Sequence, residues 1–200
     1  MKYFFLCATW ILWCFLHSFL ITTGTTIWLK KQVGGKFAYY RICYNLFSLI
    51  TVLPLFYWQR TITGPIVLPL SPHLVIVKYT ALVFSFIVVA GSFVSFDIRE
   101  FFGIRQPQQK EKEPAIHTHG LYGIVRHPMY LGGIIFFTAS MTHVPLPQFL
   151  GYLILVMYMV IGTFREDRRL SRELGDMYIN YQKEVPMILP RIKKRKRSQD

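Results

Sequence analysis

The chain has 200 residues, 52% of them hydrophobic and 16% aromatic, with a mean hydropathy of +0.34, which excludes an ordinary soluble domain and fits interfacial aromatic belts. Lys and Arg number 23 against 10 Asp and Glu, a formal net charge of +13. No nucleic-acid-binding module accompanies that charge, so no nucleic acid is expected and anionic membrane lipids are the partner it implies.

Apolar Tyr3–Ile21 is too long for a signal-peptide core and no small-x-small cleavage site follows it, so it is expected as a retained first membrane span. His17 and Ser18 within it form an intramembrane polar pair, a functional candidate for which helix–helix hydrogen bonding is the simpler role. A basic loop with Lys30, Lys31, Lys36 and Arg41 follows, made flexible by Gly34–Gly35. The second span covers Ile42–Trp58, where Asn45 and Ser48 share a face beside Tyr44 and suit a bond to a neighbouring helix. Thr61–Pro72 is an uncharged loop rich in proline, and Leu74–Phe96 is the third span, with Lys78 near enough to its end to snorkel outward. Asp97–Arg105 mixes charges with Phe101, Phe102 and Ile104 and reads as an interfacial turn or helix, and Gln106–Glu113 as a polar loop. The cysteines Cys7, Cys14 and Cys43 lie in apolar stretches without metal-ligand spacing and are expected as buried thiols, with no metal site.

Gly120–Gly133 reads GLYGIVRHPMYLGG. Proline fits the first helical position, so His127 is expected to cap a membrane helix that starts at Pro128, with Arg126 beside it at the water boundary. A helix N-terminus flanked by Arg126, His127, Tyr122 and Tyr130 suits a ligand with both a carboxylate and a cationic centre; it equally suits a basic membrane anchor with interfacial tyrosines. His127–Phe164 carries no formal charge, too long for one span and slightly short for two, and Thr142–Pro147 breaks it into a hairpin of spans four and five. Five spans put Lys30–Arg41, Arg99–Arg126 and everything from Arg165 on one side, the cytoplasm by the positive-inside rule, with the N-terminus outside. Beyond Arg165, the stripe Leu170, Leu174, Met177, Tyr178 and Tyr181 marks a cytoplasmic helix with Gly175 as its weak point. Lys193–Arg197 is a solvated or lipid-attracted tail. The expected fold is all-α and integral to the membrane, with about five transmembrane helices, a helical hairpin and a cytoplasmic C-terminal helix, and no separate soluble domain.

Glu166 and Asp167 are the only adjacent acids, placed where span five leaves the membrane. They serve either as surface partners of Arg165, Arg168 or Arg169, or, for Glu166, as the group that faces Arg126–His127 and answers a ligand's cation. Taken together, Gly120, Tyr122, Arg126, His127, Pro128, Tyr130 and Gly132, then Glu166, Asp167 and Leu170, then Gly175, Tyr178, Tyr181, Val185, Pro186 and Pro190 resemble the isoprenylcysteine carboxyl methyltransferase and phospholipid methyltransferase superfamily. The match covers roughly the last 90 residues; the HS pair of span one, R-x-x-Y-N at Arg41–Asn45 and D-x-x-x-F-x-G at Asp97–Gly103 are similar to its bacterial branch of NnrU-like proteins and small-thiol methyltransferases.

The resemblance implies S-adenosyl-L-methionine as methyl donor, with Arg126, His127 and Glu166 as catalytic residues. It lines the donor pocket with His117, Tyr122, His127, Pro128, Met129, Tyr130 and Glu166, and divides the chain into 1–105 (helices one to three and the interfacial segment), 106–190 (catalytic region) and 191–200 (basic tail). No dinucleotide fingerprint is present, so a soluble Rossmann-type domain is not expected. Prenylcysteine members carry an arginine four residues before the paired acids, where this chain has Gly162. That departure argues against a prenylcysteine carboxylate and leaves a thiol, an amine or another small or lipophilic acceptor. A non-catalytic accessory protein on the same scaffold and a sterol-reductase-like NADPH enzyme are the competing readings.

Overall fold

The computed structural model describes residues 1–69, 71–95 and 116–190. The expected interfacial segment Asp97–Arg105, the loop Gln106–Glu113 and the tail Lys193–Arg197 lie outside the described residues. Among those described there are seven α-helices: α1 (Lys2–Leu20), α2 (Thr23–Val33), α3 (Tyr40–Thr61), α4 (Pro72–Ser92), α5 (Pro128–Ser140), α6 (Leu146–Leu174) and α7 (Asp176–Glu184). Two short strands, β1 (Ile66–Val67) and β2 (Val144–Pro145), pair antiparallel with Ile66 opposite Pro145 and Val67 opposite Val144. The turn expected to break the long apolar run is thereby stitched to the uncharged proline loop.

Four helices, α1, α3, α4 and α6, are long and apolar enough to cross a bilayer, and α5 is a shorter apolar helix. Its 13 residues reach only about 20 Å, against a hydrocarbon core of about 30 Å. The outer faces carry large exposed apolar side chains, Phe4, Ile50, Ile76 and Phe86 among them, which is the arrangement of a protein whose solvent is lipid. The chain is an all-α integral membrane protein.

The interior is thin and specific. Leu6, Trp10 and Cys14 of α1 pack with Leu55 of α3 and Leu155 of α6. At one end of this cluster the Trp10 indole N–H donates to Gln59 Oε1 at 3.1 Å, and Gly151 leaves the room both side chains need. At the other end His17 and Ser18 bond the Tyr158 hydroxyl, and Tyr44 bonds His17, so the polar pair of the first span does join helices. Gly132 lets α5 lie directly on Ser85 and Val89 of α4. Lys78 donates to the Thr142 carbonyl at 2.9 Å, which carries its charge to the hairpin end of the bundle.

Three expectations are corrected. The basic stretch after the first span is not a flexible loop: the Thr22 hydroxyl accepts from the Thr25 N–H to start α2, Gly34 ends it at φ +54°, and a 3-10 turn over Gly34–Tyr39 leads into α3. Span five and the start of the C-terminal helix are one 29-residue helix, because Arg165–Leu174 holds no glycine or proline to stop it. Gly175, at φ +55°, makes the break instead and turns the chain into α7. Of the cysteines only Cys14 is buried, while Cys43 is exposed on α3.

Candidate functional site

The site forms where α5 begins and α6 emerges. His127 is the residue before α5 and Pro128 its first position, as proline chemistry requires, yet the His127 side chain makes no cap. Its backbone N–H donates to the Met187 carbonyl at 3.1 Å, and the Arg126 N–H to the Pro186 carbonyl at 2.9 Å. The run after α7 therefore returns to lie along Arg126–His127. Proline at 186 loses nothing there, since only its carbonyl is used.

Asp167 is the hub. It accepts from Arg126 Nε at 2.9 Å and Nη2 at 3.1 Å, from His127 Nε2 at 3.0 Å, and from the Tyr178 hydroxyl and Gln182 Nε2 at 2.8 Å each. The remaining Arg126 nitrogen donates to the carbonyls of Val185 and Gln182. Arg126 and Asp167 are 9% and 13% exposed, so a planar fork meets a carboxylate largely out of water. Burial opposes the Asp167 charge, but the donors from Arg126, His127 and Tyr178 outweigh it and hold its pKa down to about 2. Burial lowers the His127 pKa, with Asp167 pulling the other way, and the ring is neutral at pH 7. An ionised carboxylate only accepts, so His127 carries its proton on Nε2. Burial first, then the Asp167 charge, raise the Tyr178 pKa.

Behind the hub, Tyr178, Tyr181 and Val185 form a small core with Ile116, Leu170 and Leu174. The Tyr181 hydroxyl donates to the Tyr122 carbonyl, and burial, with Tyr181 adding to it, pushes the Tyr122 phenol up to about 12. Met177 is exposed and stands off the expected stripe.

Glu166 does not bond Arg126 or His127. It is held by Arg169 on the next turn, at 2.6 and 3.1 Å, and that pair is half in water. The acid that answers Arg126–His127 is its neighbour Asp167, a correction to the expected pairing. The Glu166 carboxylate is still near enough to His127 and Tyr130 for its charge to act on both. Tyr130 stands edge-on to the His127 ring, centroids 6.0 Å apart, and rests on Gly162, where a Cβ would lie 3.2 Å from its Cε1.

Arg126, His127, Pro128, Met129, Tyr130 and Glu166 thus gather at one end of the bundle, and Tyr122 joins them through Tyr181. His117 is exposed, one residue after Ile116, which packs on the Tyr178 core. Sequence reasoning missed Asp167 as the partner of Arg126, and Tyr178 and Gln182 as the side chains that bond Asp167. The signal was present in the spacing of Tyr178 and Gln182, four apart and so on one helix face. The ensemble offers an acid, Glu166, paired with a half-exposed arginine, together with a helix start and aromatic faces, and so accommodates a small ligand that carries charges of both signs.

A family model described as phospholipid methyltransferase matches residues 69–177. Methanethiol S-methyltransferase of Pseudomonas deceptionensis is 36% identical over 111 residues, 50% of this chain and 40% of that protein. Methanethiol S-methyltransferase 1 of Bradyrhizobium diazoefficiens is 29% identical over 179 residues, 87% of this chain and 62% of that protein. Methanethiol S-methyltransferase of Mycobacterium tuberculosis is 29% identical over 184 residues, 87% of this chain and 72% of that protein. The chain spans less than two thirds of the length of the first two. No solved structure matches it.

Proposed function

This chain belongs to the phospholipid methyltransferase family, and we propose on that premise that it moves a methyl group from S-adenosyl-L-methionine to a small thiol. The observation that carries the proposal is the gathering of Glu166, Tyr130 and His127 around the start of α5, in a chain similar to proteins named methanethiol S-methyltransferase.

The residues present fit that donor. Its carboxylate suits the N–H groups of Met129 and Tyr130, which precede the first intrahelical bond of α5, from Leu131 to the His127 carbonyl. Its ammonium suits Glu166, whose half-exposed pairing with Arg169 is exchanged at little cost. Tyrosine faces at Tyr130 and Tyr122 suit a sulfonium, with His117 and Pro128 completing the lining. Once bound, the donor supplies an electrophilic methyl group. Arg126 and His127, locked by Asp167, hold the start of α5 in place and keep its orientation fixed. The apolar helices around them keep water out and give a lipophilic or small acceptor a lateral route. Gly162 puts a bare backbone under Tyr130, where a cation that grips a carboxylate acceptor would stand, and this favours a thiol.

Within the proposal the protein sits in a bacterial cytoplasmic membrane, with the Arg126 end and the C-terminus cytoplasmic, on the side of Arg165, Arg168, Arg169, Arg172 and Lys183. The test is calorimetric donor binding by the full chain in lipid nanodiscs, followed by transfer of a labelled methyl group to methanethiol. Saturable binding and thiol-dependent product are expected. Donor binding with no transfer to thiols, amines or carboxylates would leave a non-catalytic accessory protein, and preferential binding of NADPH would overturn the proposal.

A further inference from the structure

The polar network between the spans has more order in it than helix pairing needs. His17 and Ser18 come from α1, Tyr44 from α3 and Tyr158 from α6. The Tyr44 hydroxyl lies 2.8 Å from His17 Nε2 and 3.2 Å from the His17 carbonyl. Assigning the Tyr44 proton to that carbonyl, which can only accept, makes the contact with Nε2 the imidazole N–H donating. That leaves Nδ1 with a lone pair. The Tyr158 hydroxyl, 2.9 Å away, donates to it, and the Ser18 hydroxyl donates to the Tyr158 oxygen, also at 2.9 Å. The chain of hydrogen bonds runs one way and ends on a basic nitrogen.

This network adjoins the donor site. Tyr158, Gly162 and Glu166 are four residues apart in turn and share one face of α6, each step rising about 6 Å. Tyr130 rests on Gly162 between them and lies near both Glu166 and Tyr158. A donor held by its ammonium at Glu166 and lying along this face would bring its methyl-bearing end toward Tyr158. His17, Ser18, Tyr44 and Tyr158 are each only partly buried, so an acceptor can reach them. An ionisable ring inside a membrane helix is costly to keep, which favours a use for it.

We infer that His17 is the base that takes the proton of the acceptor thiol, relayed through the Tyr158 hydroxyl and directed by Tyr44. The inference rests on the thiol reading above. The S–H bond breaks and its proton joins the Tyr158 oxygen while the Tyr158 proton moves to His17 Nδ1. The anionic sulfur then bonds the methyl carbon as that carbon parts from the sulfonium. A methyl thioether, a neutral thioether from the donor and an imidazolium result, and the imidazolium returns its proton to water through the same oxygen.

The test uses the full chain in nanodiscs with His17→Gln and Tyr158→Phe. Both variants bind the donor like the unsubstituted protein, lose about 100-fold in transfer to an alkyl thiol, and lose less than about threefold with an aryl thiol already ionised at assay pH. Nitrogen-15 NMR of labelled histidine, with the His17 signal found by its loss in His17→Gln, shows the proton on Nε2. Equal losses with both thiols, lost donor binding, a proton on Nδ1, or variants as active as the unsubstituted chain would each overturn the inference. The thiol reading survives the last result. It fails, and takes the inference with it, if the unsubstituted chain binds donor yet methylates neither thiol.

Discussion

Asp167→Asn keeps the side chain's volume and removes the charge on which Arg126, His127, Tyr178 and Gln182 converge. Arg126, only 9% exposed, then keeps the carbonyls of Gln182 and Val185 and one neutral amide oxygen in place of the carboxylate. Removing one partner of a buried ion pair costs about 3–5 kcal/mol; the two carbonyls and the new amide oxygen recover part of that, so about 2–4 kcal/mol is expected. The cost falls on the attachment of α7 and the run behind it, because those segments are held by this hub and the small Tyr178 core, not by the spans. Hydrogen exchange in nanodiscs reads it directly: amides of residues 176–187 speed up by about 30- to 1,000-fold, while those of α1 and α4 do not change. Glu166→Gln is the companion. Its pair with Arg169 is 30% and 46% exposed and worth at most about 1 kcal/mol, so α7 stays docked, while donor affinity falls by about tenfold or more. Unchanged protection in Asp167→Asn, or equal loosening of α7 in both variants, would refute the division of labour between the two acids.

Gly132→Ala places a Cβ 2.6 Å from Val89 Cγ2 and 3.1 Å from the Ser85 carbonyl, so α5 must lift from α4; thermal unfolding should register a loss of about 1–3 kcal/mol. Gly175→Ala meets nothing within 4 Å but must hold φ +55°, so a loss of about 1–2 kcal/mol confined to α7 exchange is expected. The docking of α7 also depends on pH. His127 has a lowered pKa, so its stabilising effect is full above its ordinary 6.5 and declines as pH falls below that value. Asp167 adds a second loss, of roughly 2 kcal/mol, from its ordinary 3.8 down to about 2. Protection at 176–187, corrected for the intrinsic pH dependence of amide exchange, should be flat from pH 8 to about 6.5 and fall below that; protection unchanged down to pH 4 would contradict the buried neutral imidazole.

Much of the architecture was legible because a bilayer permits so few solutions. Long apolar runs bounded by Arg41, Arg60 and Arg165 have to be helices, and the closely spaced prolines at 145 and 147 mark where one is interrupted, whereas the single Pro54 is carried inside α3. Pro128 likewise announced the start of α5. Less legible was anything that depends on a positive φ being used or not: Gly34 and Gly175 look alike in sequence beside Gly35 and Gly162, yet only the first two end helices.

Composition and periodicity were sufficient to settle that the chain lives in a membrane, and the paired motifs sufficient to single out Arg126–Tyr130 and the acids at 166 and 167, which the fold brings to one end of the bundle. Which acid turns inward was beyond them. Adjacent helical residues point about 100° apart, so the choice rests on how α6 is rotated against its neighbours. That rotation is set by contacts distant in sequence: Gly151 under Trp10 and Gln59, Gly162 under Tyr130, and the strap after α7 bonded to Arg126 and His127. The same packing brings His17 to Tyr44 and Tyr158, residues 27 and 141 positions away, a meeting no local pattern encodes.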